Sequence, residues 1–204
     1  VGYGDFSLKQ ETLENLKKKF YKNPNKLQHD GSTKSFDGLF DLDRASLLDT
    51  AQQLISQGHL VSPPILVPEI FRLFPSIHID SDKQINSWME TREELIGEDK
   101  HFTVYFREDI TRPYIRFAAI KELFKCLCQN NHHLFSNFSS AIKEVIDVQS
   151  NVFAGMLLIP PNMLQHELDN VDYSTDIIVQ LADRFLVSKS LMNKRLNDYM
   201  THYC

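Results

Sequence analysis

The sequence predicts an α+β domain that is mostly helical, with a small β-sheet contributed by its middle third. Three observations predict it. Long stretches carry apolar residues at three- and four-residue spacing. Two short stretches between them alternate apolar with polar residues, and prolines and glycines punctuate the boundaries. At 204 residues, with 42% hydrophobic and 24% charged content, the chain has the composition of one globular domain and not of a disordered segment.

Residues 1–40 read as a polar, partly helical leader and linker ahead of a domain spanning 41–204. Leu8, Leu13, Leu16 and Phe20 fall at near-helical spacing and predict a short amphipathic helix. The breaker-rich KNPNKLQHDGSTKSFDG behind it reads as a linker. The leader carries seven lysines against five acids, whereas the remainder has fifteen cations against twenty-two acids. Lys17, Lys18 and Lys19 read as a solvated helix face, ahead of a contact with nucleic acid or an acidic partner.

From Asp43, read as a cap, the apolar positions Leu47, Leu48, Ala51, Leu54 and Ile55 predict a helix that Gly58 stops. Pro68 suits the first turn of the next helix, with Ile70, Phe71, Leu73 and Phe74 behind it. SIHID and HFTVYFRED alternate and carry β-branched and aromatic residues, so both are strands; the polar segment around Trp88 between them predicts no definite element. Arg112–Gln129, with Pro113 near its start, is apolar on more than one face, as a central buried helix must be. SSAIKEVIDVQSNVFAGMLLIP forms another helix, ended by Pro160–Pro161. The last segment reads as a helix-turn-helix-like pair with its turn near Leu186–Ser188.

Composition limits the function classes. A net charge of −5 argues against a surface that grips nucleic acid all over. No run approaches the roughly 18 apolar residues of a membrane span, and VGYGDFSLKQ has no apolar stretch behind a basic end, so neither membrane insertion nor a secretory signal is expected. Cys126, Cys128 and Cys204 make an odd set, and the first two are poorly placed to bridge each other, which points to a reducing, cytoplasmic setting. Only seven glycines are present, with no phosphate-cradling loop and no nucleophile elbow. His29, His59, His78, His101, His166 and His202 are isolated and read as surface or packing residues.

The informative segment is RFAAIKELFKCLC, Arg116 to Cys128. Taken with NVFAGMLLIP (Asn151–Pro160) and LADRFLVSKSLMNKRL (Leu181–Leu196), it resembles the ImmA/IrrE family of small zinc peptidases. Those proteins carry an Arg-Phe-led helix with a His-Glu-x-x-His core. A helix like Glu-Ala-Asn-x-Phe-Ala-x-x-Leu-Leu-x-Pro follows, then an Ala-x-Arg-Phe-x-Val-Ser pattern. With the entry at Ser46–Phe74, the resemblance covers about Arg44 to Tyr199 and implies a zincin-like fold.

In His-Glu-x-x-His, two histidines one turn apart bind zinc and the glutamate activates water. At those positions this chain has Lys121, Glu122, Leu123, Phe124 and Lys125. Glu122 aligns with the general base, both ligands are lysine, and the third ligand aligns with Gln149, with Asp147 two residues earlier. An ammonium has three donors and no acceptor, so it binds no cation until it loses a proton. The expectation is replacement: a lysine ammonium stands where the metal's charge stood, paired with Glu122 or Asp147, and no cofactor is needed.

Two other chemistries compete. Cys126, Cys128, His132 and His133 are four possible ligands within eight residues, but a continuous helix points the two cysteines about 200° apart, which favours core positions. The C-terminal pair, from Arg184 on, holds Arg184, Lys189, Lys194 and Arg195 against Asp198, and a recognition helix would contact DNA through Lys189, Lys194 and Arg195. The same string belongs to the family pattern, where the resemblance implies packing on the core.

The family typically cleaves or inactivates a helix-turn-helix repressor of a mobile element or stress regulon. The expectation is therefore a catalytically inactive, regulatory relative that binds a partner protein of that kind. Two alternatives stand beside it: a peptidase with an unusual metal site that uses Glu122 as base, and a DNA-binding regulator.

Overall fold

The computed structural model describes Glu11 and residues 44–130, 132–138 and 143–203. The expected leader helix, the Lys17–Lys19 face, the linker, the Asp43 cap and Cys204 lie outside the described residues, Glu11 apart. Within them, seven α-helices and one three-stranded sheet form the α+β arrangement the periodicities predict.

Helix α1 (Arg44–Gln57) buries Leu47, Leu48, Ala51, Leu54 and Ile55, the face read from the sequence. Its end differs from expectation. Gly58 keeps an ordinary φ, and the left-handed residue is His59 at φ 51°. Leu60 then donates to the Ile55 carbonyl at 3.0 Å and packs on the core, and this contact holds His59 where glycine is usually found. Helix α2 (Val67–Phe71) has Pro68 in its first turn, where the missing N–H costs no bond.

Strands β1 (Ile77–Ser81), β2 (Met89–Ile96) and β3 (Asp99–Phe106) follow, in sheet order β1-β3-β2. β3 pairs parallel with β1 and antiparallel with β2. Ile77 faces Phe102 and Ile79 faces Val104 across the parallel pair, so one sheet face is apolar. β2 is the element that the sequence does not reveal. It is an edge strand, exposed along most of its length, and needs no apolar alternation. Cross-strand polar contacts hold it instead. The Arg92 guanidinium lies 4.5 Å from the Tyr105 ring centroid, and Lys100 pairs with Glu93 at 2.9 Å. Gly97, at φ 67°, makes the tight turn into β3.

The apolar sheet face packs on α3 (Arg112–Gln129), which carries the next layer, α4 (Lys143–Leu158), on its other side. A 3₁₀ turn at Ser136–Phe138 lies between them in sequence. Phe124 of α3 meets Phe135, Phe138 and Phe153 at ring-centroid distances of 5.4, 5.6 and 5.0 Å, a cluster that clamps α3 to α4. Pro160–Pro161 does end α4, but Pro161 also opens α5 (Pro161–Leu168), which the reading of prolines as a stop signal missed. α1 covers the far side of α4, and α7 (Lys189–Tyr203) also packs there. At that contact a Cβ on Gly155 would lie 3.0 Å from Arg195 Cδ, so a larger residue there would press on the Arg195 side chain.

The expected C-terminal pair is present as α6 (Ile177–Phe185) and α7. Leu186, in the left-handed region at φ 51°, turns the chain between them, and Val187 donates back to Ala182 at 3.0 Å. Asp176 caps α6 by accepting from the Ile178 and Val179 amides at 2.9 and 3.4 Å. Asp176→Ala is expected to cost about 1 kcal/mol of stability in urea denaturation; an unchanged midpoint would mean water satisfies those amides equally well. Among the described residues, no helix is long and apolar enough to cross a membrane.

Candidate functional site

Lys121, Glu122 and Lys125 share the α3 surface where the helix passes between the β2 edge and the start of α4. Lys125 Nζ donates to Glu122 Oε1 at 2.9 Å and reaches Asp147 Oδ1 on α4 at 2.7 Å. The second carboxylate oxygen of Glu122, Oε2, accepts from Thr91 Oγ1 on β2 at 3.2 Å. One ammonium thus ties two carboxylates from two helices, and a hydroxyl from the sheet closes the set. Thr91 went unnoticed in the sequence because β2 did; its register opposite Val104 puts it on the sheet face that meets α3.

The electrostatics follow from this geometry. Burial alone would lower the Lys125 pKa, but the hydrogen bonds to Asp147 and Glu122 outweigh it and hold the ammonium above the usual lysine range. The Lys125 hydrogen bond holds the Asp147 carboxyl below its usual range. Lys121 goes the other way: burial, then the like charge of Lys125, push its pKa down. Its Nζ lies 5.9 Å from the Phe117 ring centroid, and no carboxylate of the described residues pairs with it. The two lysines that look equivalent in sequence therefore differ in role.

Gln149 does not join this set. Asp147 and Gln149 are about 200° apart around α4, and Asp147 is the one that reaches Lys125. Gln149 Oε1 is buried without a hydrogen-bond partner. Gln149 lies one turn before Phe153, which packs on Phe124 of α3, so it is on the face of α4 toward α3 but makes no hydrogen bond to the Lys125 cluster.

A zinc ion does not fit the residues at these positions. Lys125 is a charged donor already spent on two carboxylates, and Lys121 offers no anionic ligand. Among the described residues, no three His, Cys, Asp or Glu side chains gather as a metal site. That includes Cys126, Cys128, His132 and His133. Both cysteines are buried, and burial pushes each thiol up to about 12. His132 packs edge-on against Phe74 at 5.2 Å and lies beside His133 at 4.4 Å; burial, then His133, lowers its pKa. Iodoacetamide at mildly alkaline pH is expected to leave Cys126 and Cys128 unmodified in the folded chain and to label both in guanidinium chloride, read by peptide mapping. Labelling at native rates would place them in an accessible site.

Of the three residues read as DNA contacts, Lys189 and Lys194 are exposed. Arg195 is not: at 4% exposure its Nη2 donates to the Ile159 carbonyl at 3.2 Å and its Nη1 reaches Asp198 at 3.5 Å. Spacing put it on the basic face, but the approach of α7 to Gly155 turns it inward. Arg184 also faces the protein, pairing with Glu167 at 2.6 Å. Arg116, which leads the central motif, donates to the Leu186 and Phe185 carbonyls at 3.1 and 3.4 Å and so fastens the end of α6 to the start of α3.

The chain matches no family model, no curated protein and no solved structure.

Proposed function

We propose that the chain is a zincin-like, catalytically inactive relative of the ImmA/IrrE peptidases and acts by binding a regulatory protein. The observation that carries this reading is the bridging of Glu122 and Asp147 by the Lys125 ammonium. A monovalent cation carried by α3 itself bridges two carboxylates where the resemblance aligns the zinc-binding helix. A base whose two oxygens both accept hydrogen bonds is poorly placed to take a proton from water. What remains useful is the surface around it, and the resemblance makes a helix-turn-helix repressor in the cytoplasm the natural partner. Incubation with the helix-turn-helix repressor encoded nearest to it tests the reading. The repressor is expected to leave its operator in a mobility-shift assay while its intact mass stays unchanged. Cleavage of the repressor, or no effect on its DNA occupancy, would overturn the proposal.

A second reading, direct DNA contact, draws on exposed Lys189 and Lys194 at one end and mid-length of α7. With Arg195 and Arg184 turned inward, that face keeps two cations, fewer than the phosphate contacts of a stable DNA complex require.

A further inference from the structure

We propose that the outer edge of β2 pairs with β2 of a second copy of this chain, antiparallel about a twofold axis at Thr91. Among the described residues only β3 pairs with β2, which leaves its other edge open. The Arg107 amide donates to the Trp88 carbonyl at 3.1 Å, one step before Met89 faces Phe106 in the same register. Hydrogen-bonded pairs alternate along an antiparallel ladder. Glu90, Arg92, Glu94 and Ile96 therefore turn their backbone groups to β3, while Met89, Thr91, Glu93 and Leu95 turn theirs outward. The Met89 carbonyl accepts from Ser87 Oγ at 2.6 Å and keeps a second lone pair. The strand is exposed from Arg92 to Ile96, and such a row of outward donors and acceptors is a template for another strand.

The charges select both the occupant and the register. A ladder forms only where outward-turned residues meet outward-turned residues, so one residue of β2 must sit on the twofold axis opposite itself. An axis at Glu90, Arg92, Glu93 or Glu94 sets like charges face to face, which destabilises a strand pair. An axis at Met89, Leu95 or Ile96 lies so near an end of β2 that little of the strand overlaps. Thr91 is the remaining position. There Thr91 and its copy exchange two backbone bonds, and Met89 and Glu93 of opposite copies do the same on either side. Glu90 of each copy then faces Arg92 of the other.

Those Glu–Arg positions are the non-hydrogen-bonded kind, whose Cα atoms approach to about 4.5 Å and whose side chains meet most closely. Within one chain Arg92 Nε already donates to Glu90 Oε1 at 2.8 Å. The two copies therefore join these pairs into one ring of alternating charge. The strand is thus complementary to itself, as a twofold contact requires. One strand pair buries less than a standard interface, so the dimer is weak and depends on concentration.

Sedimentation velocity of the full chain over about a hundredfold range of concentration tests the proposal. A shift from monomer towards dimer is expected. Arg92→Glu alone and Glu90→Arg alone each set like charges opposite one another, and each should stay monomeric at the highest concentration. Mixed in equal amounts they should dimerise again, because opposite charges then meet at both positions. That recovery also shows that both variants are folded. Glu93→Pro, at an exposed position whose N–H points away from β3, should abolish the dimer and leave the β2–β3 ladder in place. A native chain that stays monomeric throughout would overturn the proposal and leave the edge to a strand of another protein. So would a dimer that survives Glu93→Pro or either charge variant, or charge variants that are folded by circular dichroism and stay monomeric when mixed.

Discussion

Phe124→Ala is expected to remove about 3–5 kcal/mol of unfolding free energy, a large share of the roughly 5–15 kcal/mol that holds a domain together. Phe124 is fully buried and touches three other rings, from the 3₁₀ turn, its approach and α4. Truncation leaves a cavity that those rings cannot collapse to fill, because each is fixed by the others: Phe135 also meets Phe138 and Phe153 at 6.2 and 5.6 Å. The next residue in the helix is Lys125, so loosening α3 against α4 also disturbs its pairing with Asp147. Urea denaturation reads the effect. A loss below about 1 kcal/mol would mean that this cluster is not what clamps the two helices.

Lys125→Met should cost about 2–3 kcal/mol at neutral pH. The side chains have similar length, so packing changes little, but Glu122 and Asp147 are left facing each other without a cation. The figure is set below that of a fully buried pair because the Asp147 side chain is 41% exposed. The sign of the pH dependence follows from the two shifted groups. Asp147 is held below its usual 3.8, so its contribution is present above that value and is lost as pH falls through the lower folded value. Lys125 is held above its usual 10.5, so its contribution is present below that value and is lost as pH rises through the higher folded one. The gap between native and variant stability is therefore widest between these limits and closes beyond either end. Denaturation curves taken across pH check this. A gap that stays constant into strong acid would mean that the methionine acts through packing and not through charge.

How far the sequence disclosed this structure depended on whether an element buries an apolar face. α1, α3, α4 and the α6–α7 pair each do, and their periodicity and prolines were enough to locate them. β2 buries almost nothing, so its charged string carried no period, and Thr91 stayed invisible with it. α5 was hidden because Pro160–Pro161 signals a stop and a start alike. At the site, the pairing of a lysine with Glu122 or Asp147 was expected from the resemblance, which did not choose between Lys121 and Lys125. Which lysine pairs, and that it spans both carboxylates, was not, since that depends on how α4 is rotated against α3. Arg195 shows the same limit. Its place on a basic string suggested solvent, while a glycine on another helix, forty residues earlier in the chain, opens the space that buries it.

The claim at the centre is that the Lys125 ammonium stands in a metal's place on a zincin-like scaffold. Metal content by mass spectrometry, for the native chain and for Lys121→His/Lys125→His prepared without chelator, tests it most directly. Removing both ammoniums and supplying two imidazoles one turn apart, with the Asp147 carboxylate kept beside them, provides three side chains of the types that zinc accepts. The native chain is expected to hold almost no metal and the double variant about one zinc per chain, lost again when Asp147→Asn is added. About one tightly held metal per native chain, or a folded double variant that binds none, would contradict it.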